Sequence, residues 1–287
     1  MSEKKSKSSH RFYPAALTIA GSDSGGGAGI EADLRTFNAF GVYGCCAITA
    51  LTAQNPRRIL RIDKMEPEVV RAQIDAVMEC ASITYIKTGM LGDAGIVQAV
   101  AEAVKKYKFK LICDPVILAT SGNALFEKES LACFCDQLLP HAVWITPNVP
   151  EAELLLGGDF RIRSEADLFT AAEELNRRFG ASILLKGGHL DLPEAVDAVY
   201  RDGKCYRLIS PRVEIPAHTG HGTGCTLSAA LTAGLTLDYP WKQALCEAKS
   251  FVLGSLTQNV ELANGVFAMY PPTEDCYDLI KLEEKHL

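Results

Sequence analysis

A glycine-rich segment around residue 222 carries the residue types best suited to chemistry. It reads Thr219-Gly220-His221-Gly222-Thr223-Gly224-Cys225 and runs straight into an apolar helical pattern. The free N–H groups in the first turn of a helix form an anion hole, which stabilises charge on a transferring phosphoryl group. Cys225 falls in that turn, where the helix dipole is expected to lower the pKa of its thiol. The segment predicts phosphoryl transfer, with Cys225 as a base or as a group that polarises a hydroxyl; a plain helix cap with a core cysteine is the alternative.

A second glycine-rich segment follows the first apolar run of the chain. It reads Gly21-Ser22-Asp23-Ser24-Gly25-Gly26-Gly27-Ala28-Gly29 and enters a helical pattern that contains Asp33. Glycines allow a ligand to approach the backbone closely, and a helix N-terminus favours an anionic or hydrogen-bonding ligand. The segment is not a Walker A loop, because no Gly-Lys-Ser/Thr follows, and position 30 is Ile, which breaks G-x-G-x-x-G. It predicts a ligand-binding loop, with a flexible turn as the alternative.

Four further polar residues stand where predicted strands end. Lys186 precedes two glycines and could reach ATP phosphates, although a buried lysine needs an anionic partner. Asn148 and Glu151 open a helical pattern, where the helix dipole alone can explain an acid. Beside a phosphate site, Glu151 becomes a candidate to organise Mg²⁺ through water, and Asp114 could support the metal.

The elements that must position these groups alternate between strand and helix. Apolar runs predict strands over residues 15–20, 45–51, 83–87, 111–113, 143–145 and 183–186. Amphipathic stretches predict helices over residues 29–40, 67–80, 94–107, 166–179, 223–235 and 241–260. This alternation predicts an α/β fold with a mainly parallel central sheet and helices on both faces. Because ligands bind at the carboxyl ends of such strands, the candidate groups should share one edge.

The pattern changes after Lys186. Strand-like residues on either side of Asp202-Gly203 predict an antiparallel hairpin. No repeat, linker or shift in composition divides the chain, so residues 14–287 are predicted to form one domain. Residues 1–13 are predicted to be a disordered polar tail, because the start of the chain is rich in Ser and Lys and lacks an apolar core.

Composition excludes several classes of function. A net charge of −6 argues against a nucleic-acid partner, and no apolar run is long enough to span a membrane. The ten cysteines contain no CxxC pair, which argues against a zinc site. The start of the chain does not have the pattern of a secretory signal peptide, and these thiols are therefore expected to be reduced, in a cytoplasmic protein.

Taken together, the motifs resemble the ribokinase-like superfamily. More closely, they resemble the hydroxymethylpyrimidine/phosphomethylpyrimidine kinases of thiamine biosynthesis, from Leu17 to about Leu256. The resemblance rests on eight ordered segments, at residues 16–23, 26–34, 49–55, 87–91, 114–122, 146–152, 186–189 and 221–228. It implies a three-layer fold, ATP and Mg²⁺ as cofactors, a small heteroaromatic alcohol as substrate, and a homodimer.

The resemblance also implies a role for each candidate residue. The pyrimidine pocket is expected to be lined by Asp23, Ala28, Gln54, Met90 and Val116. The anion hole is expected to consist of Gly222, Thr223 and Gly224, with Cys225 at the position of the catalytic Asp of sugar kinases. ATP and Mg²⁺ are expected to be served by Lys186, Asn148 and Glu151. The expected reaction is phosphorylation of hydroxymethylpyrimidine and of its monophosphate.

Some positions depart from the family pattern. Ser24-Gly25 stands where the family usually has Pro-Ser, Glu31 replaces Gln, and Arg35 replaces Lys. His-Thr-Gly-His at 218–221 stands where Asn-Thr-His is usual. These changes bear on the substrate more than on the kinase activity. Two alternatives therefore stay open: a pyridoxine/pyridoxal kinase, and a non-catalytic sensor of a pyrimidine or nucleotide.

Overall fold

The computed structural model describes residues 13–117, 128–188, 190–217 and 219–285. Apart from Tyr13, the predicted tail lies outside these ranges. The family segment at 119–122, His189 and His218 also lie outside them.

The described chain alternates strands and helices in the predicted order. The strands are β1 (Ala15–Ala20), β2 (Tyr43–Ile48), β3 (Ala50–Asn55), β4 (Arg58–Lys64), β5 (Tyr85–Thr88), β6 (Lys110–Cys113), β7 (Ala142–Ile145), β8 (Ser182–Leu185), β9 (Glu194–Arg201), β10 (Lys204–Pro211), β11 (Val260–Ala263), β12 (Val266–Ala268) and β13 (Lys281–Lys285). The helices are α1 (Gly29–Ala39), α2 (Pro67–Cys80), α3 (Ala94–Tyr107), α4 (Lys128–Cys133), α5 (Val149–Leu155), α6 (Glu165–Phe179), α7 (Thr223–Thr236) and α8 (Trp241–Thr257). Short π and 3₁₀ turns connect α4 to β7.

One nine-stranded sheet forms the centre of the molecule. Its order is β13-β10-β9-β8-β7-β6-β5-β1-β2, and the strands from β8 to β2 run parallel. The hairpin β9–β10 and the strand β13 add an antiparallel end, as the sequence around Asp202-Gly203 predicted for the hairpin. Two small hairpins, β3–β4 and β11–β12, stand apart from the main sheet.

Side chains that alternate along the strands build a core on each face of the sheet. Leu17 and Ile19 of β1 point to the face covered by α2, α3, α5 and α6, whereas Ala16 points to the face covered by α1 and α7. Helix α8 packs with α7 on that second face, where Trp144 is almost fully buried. Because each strand serves both cores, the parallel strands are apolar along their whole length. The three-layer α/β fold is confirmed.

The loops that matter for function leave the carboxyl ends of the parallel strands. β1 pairs with β2 on one side and with β5 on the other. The connection that follows β1 therefore runs to one side of it, and β5, the strand of the main sheet that comes after β2, lies on its other side. Such a switch point opens a crevice above the strand ends. The segments after β1, β5, β6, β7 and β8, which carry most of the candidate residues, all reach this edge.

Two predicted ends were wrong by three residues each, a larger error than at the other predicted bounds. The strand predicted over 45–51 ends at Ile48, where Thr49 turns the chain and donates a hydrogen bond from its hydroxyl to the Met90 carbonyl at 2.6 Å. The helix predicted over 241–260 ends at Thr257, and β11 begins at Val260. Within the described part of the chain, no helix is both long enough and apolar enough to cross a membrane.

Candidate active site

The loop after β1 is organised by a single carboxylate, that of Asp23. Its Oδ1 accepts a hydrogen bond from the Gly25 N–H, and its Oδ2 accepts bonds from the N–H groups of Gly27 and Ala28. Burial opposes ionisation of Asp23, but the hydrogen bonds from His221 and from the loop amides outweigh burial, and the pKa of Asp23 is lowered. Asp23 is buried and its carboxylate points into its own loop, so the structure places it behind the predicted pocket rather than on its open wall.

Three of the positions that depart from the family pattern hold this same loop. Glu31 accepts hydrogen bonds from the Ser22 hydroxyl and the Asp23 N–H, both at 2.7 Å. Arg35 donates to the Gly26 carbonyl at 2.8 Å. The Ser24 hydroxyl donates to the Gln54 carbonyl and accepts from the Gln54 N–H, which ties the loop to β3. The loop is therefore fixed from α1 on one side and from the β3–β4 hairpin on the other.

The N-terminus of α7 meets this loop backbone to backbone. Gly222 caps the helix with φ 87°, and no side chain caps the helix. A Cβ at position 222 would collide with the Gly27 carbonyl, so only glycine fits this approach and this conformation. The N-terminus of α7 therefore lies beside the glycine loop, where first-turn amides can meet an anion, although the Thr223 N–H donates to the Gly220 carbonyl at 3.3 Å. The sequence predicted an anion hole at Gly222, Thr223 and Gly224, and these residues lie at this helix start.

A lysine and a carboxylate stand beside that helix turn. Lys186 Nζ donates to Asp114 Oδ1 at 2.8 Å, and a Cβ at Gly224 would lie 3.0 Å from the same Nζ. Asp114 also accepts hydrogen bonds from the hydroxyls of Thr146 and Ser228, each at 3.2 Å. Burial opposes both charges, but their mutual attraction wins, so the pKa of Lys186 is raised and that of Asp114 is lowered. Lys186 thus has the anionic partner that its burial requires.

Asn148 and Glu151 form a capping box at the start of α5. The Asn148 side chain accepts the Glu151 N–H and the Glu151 carboxylate accepts the Asn148 N–H, each at 2.9 Å. Burial and the nearby Asp114 raise the pKa of Glu151 to about 7, although Lys186 acts in the opposite direction. Two carboxylates thus share one lysine, which leaves excess negative charge at this corner of the crevice.

His221 links three segments of the site, a role that the sequence did not reveal. Its Nε2 lies 2.9 Å from Asp23 Oδ2 and 3.2 Å from the side-chain nitrogen of Gln54. The imidazole therefore joins the glycine loop, the β3–β4 hairpin and the segment that leads into α7. The sequence does not reveal this role, because a single histidine in a glycine-rich segment does not show which strands will surround it.

The environment of Cys225 differs from the predicted one. Burial raises the pKa of its thiol to about 11, although the Lys87 ammonium and a hydrogen bond from the Gly29 N–H act in the opposite direction. The prediction that the helix dipole lowers this pKa is wrong, because the cost of taking a thiolate out of water exceeds what the helix N-terminus returns. Cys225 nevertheless lies in the first turn of α7, beside the amides of the predicted hole.

The remaining predicted pocket residues lie around the same crevice. Ala28, Gln54, Met90 and Val116 are all partly exposed, unlike Asp23. A Cβ at Gly21 would overlap the Met90 methyl group, so the loop after β1 and the loop after β5 are in close contact. Ala28 follows β1, Gln54 lies on β3, Met90 follows β5 and Val116 follows β6. These residues are therefore distant in the sequence although they lie around one crevice.

Comparisons with known proteins agree with this geometry. Residues 23–270 match the family model described as phosphomethylpyrimidine kinase. The chain belongs to this family. It is 41% identical over 256 residues to a hydroxymethylpyrimidine/phosphomethylpyrimidine kinase of Rhizobium meliloti, with 87% of this chain and 94% of that protein covered. It is therefore an ATP-dependent phosphotransferase.

Two solved structures show the fold directly. The phosphomethylpyrimidine kinase of Clostridium difficile superposes with a TM-score of 0.72 at 38% identity, covering 83% of this chain and 97% of that one. The pyridoxal kinase of Bacillus subtilis, in complex with ADP, superposes with a TM-score of 0.81 at 33% identity, covering 91% and 98%. The ribokinase-like fold implied by the resemblance is confirmed.

Proposed function

We propose that this protein transfers the γ-phosphoryl group of ATP to the hydroxymethyl group of the pyrimidine precursor of thiamine, and then phosphorylates the resulting monophosphate. One observation carries the proposal. The N-terminus of α7, which no side chain caps, lies with Lys186 and Cys225 at the edge of the crevice. Gln54 and Met90 line that crevice. A phosphoryl group held by the helix and the lysine would thus face an alcohol held by the pocket.

Each group has a defined part in the proposed reaction. The hydroxymethyl oxygen attacks the γ-phosphorus in line, the bond to the β-phosphate oxygen breaks, and ADP leaves. The first-turn amides of α7, among them that of Gly224, stabilise the charge on the phosphoryl oxygens together with Lys186. Cys225 either accepts the hydroxyl proton as a thiolate or polarises the O–H bond as a thiol, in which case the proton passes to the transferred phosphoryl group. Its raised pKa means that the unliganded site holds the neutral thiol at pH 7. Phosphoryl transfer depends mainly on positioning and charge, so either role fits.

The carboxylates of Asp114 and Glu151 suit Mg²⁺, which we propose as the metal of the site. Both supply the hard oxygen ligands that Mg²⁺ prefers, and both are buried beside a single lysine. Burial, together with the nearby Asp114, raises the pKa of Glu151, and a bound cation would favour its charged form. When bound with ATP, the metal supplies charge neutralisation on the phosphates.

The pyrimidine preference rests on Gln54 and Met90 and on the names of the relatives. The Gln54 side chain is partly exposed beside the loop, where its amide can hydrogen-bond the edge of a polar ring, and Met90 offers an apolar face. Relatives named for both hydroxymethylpyrimidine and phosphomethylpyrimidine support two phosphorylation steps. The similarity to a pyridoxal kinase keeps pyridoxal and pyridoxine as the competing substrates.

A coupled assay of ADP release with Mg-ATP tests the proposal. Hydroxymethylpyrimidine, its monophosphate, pyridoxine and pyridoxal are compared by kcat/KM at equal enzyme concentration. We expect the pyrimidines to exceed the pyridines by at least about tenfold, a modest discrimination for one hydrogen-bonded ring edge. A preference for the pyridines would replace the proposal with a pyridoxal kinase. Thermal stabilisation by a ligand without turnover would identify a sensor instead.

We also propose that the enzyme is a cytoplasmic homodimer that pairs through the β3–β4 hairpin. Leu51 and Leu60 of this hairpin are 47% and 62% exposed, a large fraction for apolar side chains on a strand pair. The cytoplasmic location is supported by the ten cysteines, which are unpaired thiols, as is typical of proteins in a reducing compartment. Light scattering after size-exclusion chromatography tests the dimer, and Leu60→Glu is expected to yield monomers.

A further inference from the structure

A buried ion pair lies beneath the candidate site and takes no direct part in the proposed reaction. Lys87, on β5, and Asp33, on α1, are both fully buried. Lys87 Nζ donates to Asp33 Oδ1 at 2.8 Å and to Asp33 Oδ2 at 2.7 Å. The Thr18 hydroxyl on β1 donates to Asp33 Oδ2 at 2.6 Å. The pair thus joins two neighbouring strands of the sheet to the helix that covers them.

Stability alone gives little reason for this pair. Removing two charges from water costs several kcal/mol per ion in proteins, and the attraction between them roughly repays that cost. Apolar residues of similar volume are often as stabilising or more so. The core that α1 and α7 form on this face of the sheet is otherwise apolar, with Ala16, Phe37 and Ala229 fully buried in it. The location of the pair in the fold therefore says more about its role than its contribution to stability does.

The elements that carry the pair pack against α7, the helix whose first turn contains Cys225. α7, which begins at the anion hole, packs on β1, β5 and α1, the three elements that carry the pair and Thr18. A Cβ at Gly89 would lie 3.3 Å from Lys87 Nζ, so the ammonium sits just below the strand ends that form the crevice. The N–H of Gly29, at the start of the helix that holds Asp33, donates to the Cys225 sulfur.

Four charged groups act on the Cys225 thiol, one from each element around it. Lys87 of β5 favours the thiolate, whereas Asp33 of α1 and Asp114 after β6 oppose it. Lys186, after β8, also attracts the thiolate. Lys87 has the larger effect on Cys225 of the two members of the buried pair. Burial opposes the charge on Lys87, but Asp33 outweighs burial, so the pKa of Lys87 is raised and its ammonium stays charged.

We propose that Lys87 and Asp33 form a charge-setting pair for Cys225, in which Lys87 favours negative charge on the sulfur and Asp33 limits that effect and holds the ammonium in place. Both are positioning residues, because they act through Cys225 and do not touch the substrate. The proposal rests on the proposed function insofar as Cys225 serves phosphoryl transfer. The electrostatic part of it can be measured on the free enzyme.

The test exploits the opposite signs of the two charges. The rate of alkylation of Cys225 by iodoacetamide is followed against pH, with the modified peptide quantified by mass spectrometry so that the other cysteines do not interfere. Lys87→Met should raise the midpoint of the profile by about one pH unit, the size expected for one unit charge several ångströms away. Asp33→Asn should lower it, because Lys87 is then left without its counter-ion. A pair that only holds the fold would shift both profiles in the same direction.

Two further variants keep the test decisive if a single variant folds poorly. The neutral double variant Lys87→Met/Asp33→Asn keeps a hydrogen-bond acceptor for Thr18, and its midpoint should rise by no more than that of Lys87→Met. Lys242→Met removes an exposed lysine from α8 and should leave the midpoint in place. A midpoint in the double variant above that of Lys87→Met, or a rise in Asp33→Asn, would overturn the proposal. Because no substrate is present, a wrong substrate assignment cannot affect these outcomes.

Turnover gives an independent readout of the same pair. With whichever alcohol proves to be the substrate, Lys87→Met should lower kcat roughly tenfold. The reason is that a raised pKa lowers the fraction of Cys225 that is present as the thiolate, the form that accepts a proton. The KM for ATP should change little, since Lys87 lies below the crevice. A rise in KM with unchanged kcat would contradict the assignment and point to a loss of loop structure instead.

Discussion

The second buried ion pair, Lys249–Asp197, offers a direct test of how the ATP side of the site is held. Lys249 Nζ of α8 donates to Asp197 Oδ2 of β9 at 2.6 Å, and Asp197 Oδ1 accepts the Gly187 N–H at 2.9 Å. Gly187 directly follows Lys186, and a Cβ at position 187 would collide with the Val196 carbonyl. The turn that aims Lys186 is therefore fixed by a carboxylate that Lys249 neutralises.

The size of the effect follows from burial. The side chains of Lys249 and Asp197 are only 10% and 4% exposed, so Lys249→Met leaves a nearly buried carboxylate without its cation. Breaking such a pair costs about 3–5 kcal/mol, and the residual exposure of Lys249 favours the lower end, about 3 kcal/mol. For a chain of this size that corresponds to a fall in Tm of roughly 6–12 °C. The KM for ATP should also rise a few-fold, because Lys186 loses its fixed position.

Chemical denaturation and initial rates at varied ATP measure these two effects. Lys242→Met is the matched control, since Lys242 lies exposed on the same helix, and it should cost less than about 1 kcal/mol. The double variant Lys249→Met/Asp197→Asn keeps an acceptor for the Gly187 N–H without the charge and should recover at least half of the lost stability. If Lys249→Met were no more destabilising than Lys242→Met, the pair would not be holding this turn, and the reasoning would fail.

Three further predictions concern the site itself. Gly222→Ala should lower kcat at least about a hundredfold, because the new Cβ would collide with the Gly27 carbonyl. Gly203→Ala is the control, since Gly203 has a similar φ but open space around it; it should leave activity unchanged and cost only about 1 kcal/mol of stability. Cys225→Ala should lower kcat by at least roughly tenfold, and if Cys225 is the base the wild-type kcat should rise with pH toward 11, whereas the variant's profile stays flat. The lowered pKa of Asp23 means that its contribution to stability is present above its ordinary value of 3.8 and is lost as the pH falls below it. Asp23→Asn should therefore reduce the fall in Tm between about pH 5 and 3, and an unaltered fall would show that other carboxylates dominate.

The sequence predicted best those elements whose local signals agree with one another. The bounds of α2 and α3 match the prediction at both ends, because Pro67 begins α2 and Asp93 caps α3 with its side chain. The parallel strands were found because they are buried on both faces and read as continuous apolar runs. The β3–β4 hairpin was missed, since most of its residues are exposed and Arg58, Arg61 and Asp63 interrupt any apolar pattern.

The candidate site was predicted from its glycines but not from its charges. Gly222 and the first turn of α7 could be read locally, because glycine and an apolar helix lie next to each other in the chain. Lys87 and Asp33 are 54 positions apart, and their pairing follows only from β1 and β5 lying side by side beneath α1. The raised pKa of Cys225 was missed for the same reason, since burial depends on what packs over a residue and not on its neighbours in the sequence.

The departures from the family pattern have a structural explanation that bears on substrate choice. Ser24, Glu31 and Arg35 hold the backbone of the glycine loop, from β3 in one case and from α1 in the other two. Their side chains are committed to that loop, and the partly exposed wall of the crevice is left to residues such as Gln54 and Met90. Changes that rebuild the support of a loop can alter how rigidly it closes on a ring without altering which ring edge is recognised. The substrate preference should therefore respond to Gln54→Ala far more than to Ser24→Ala, and a comparison of these two variants on pyrimidine and pyridine alcohols separates recognition from support.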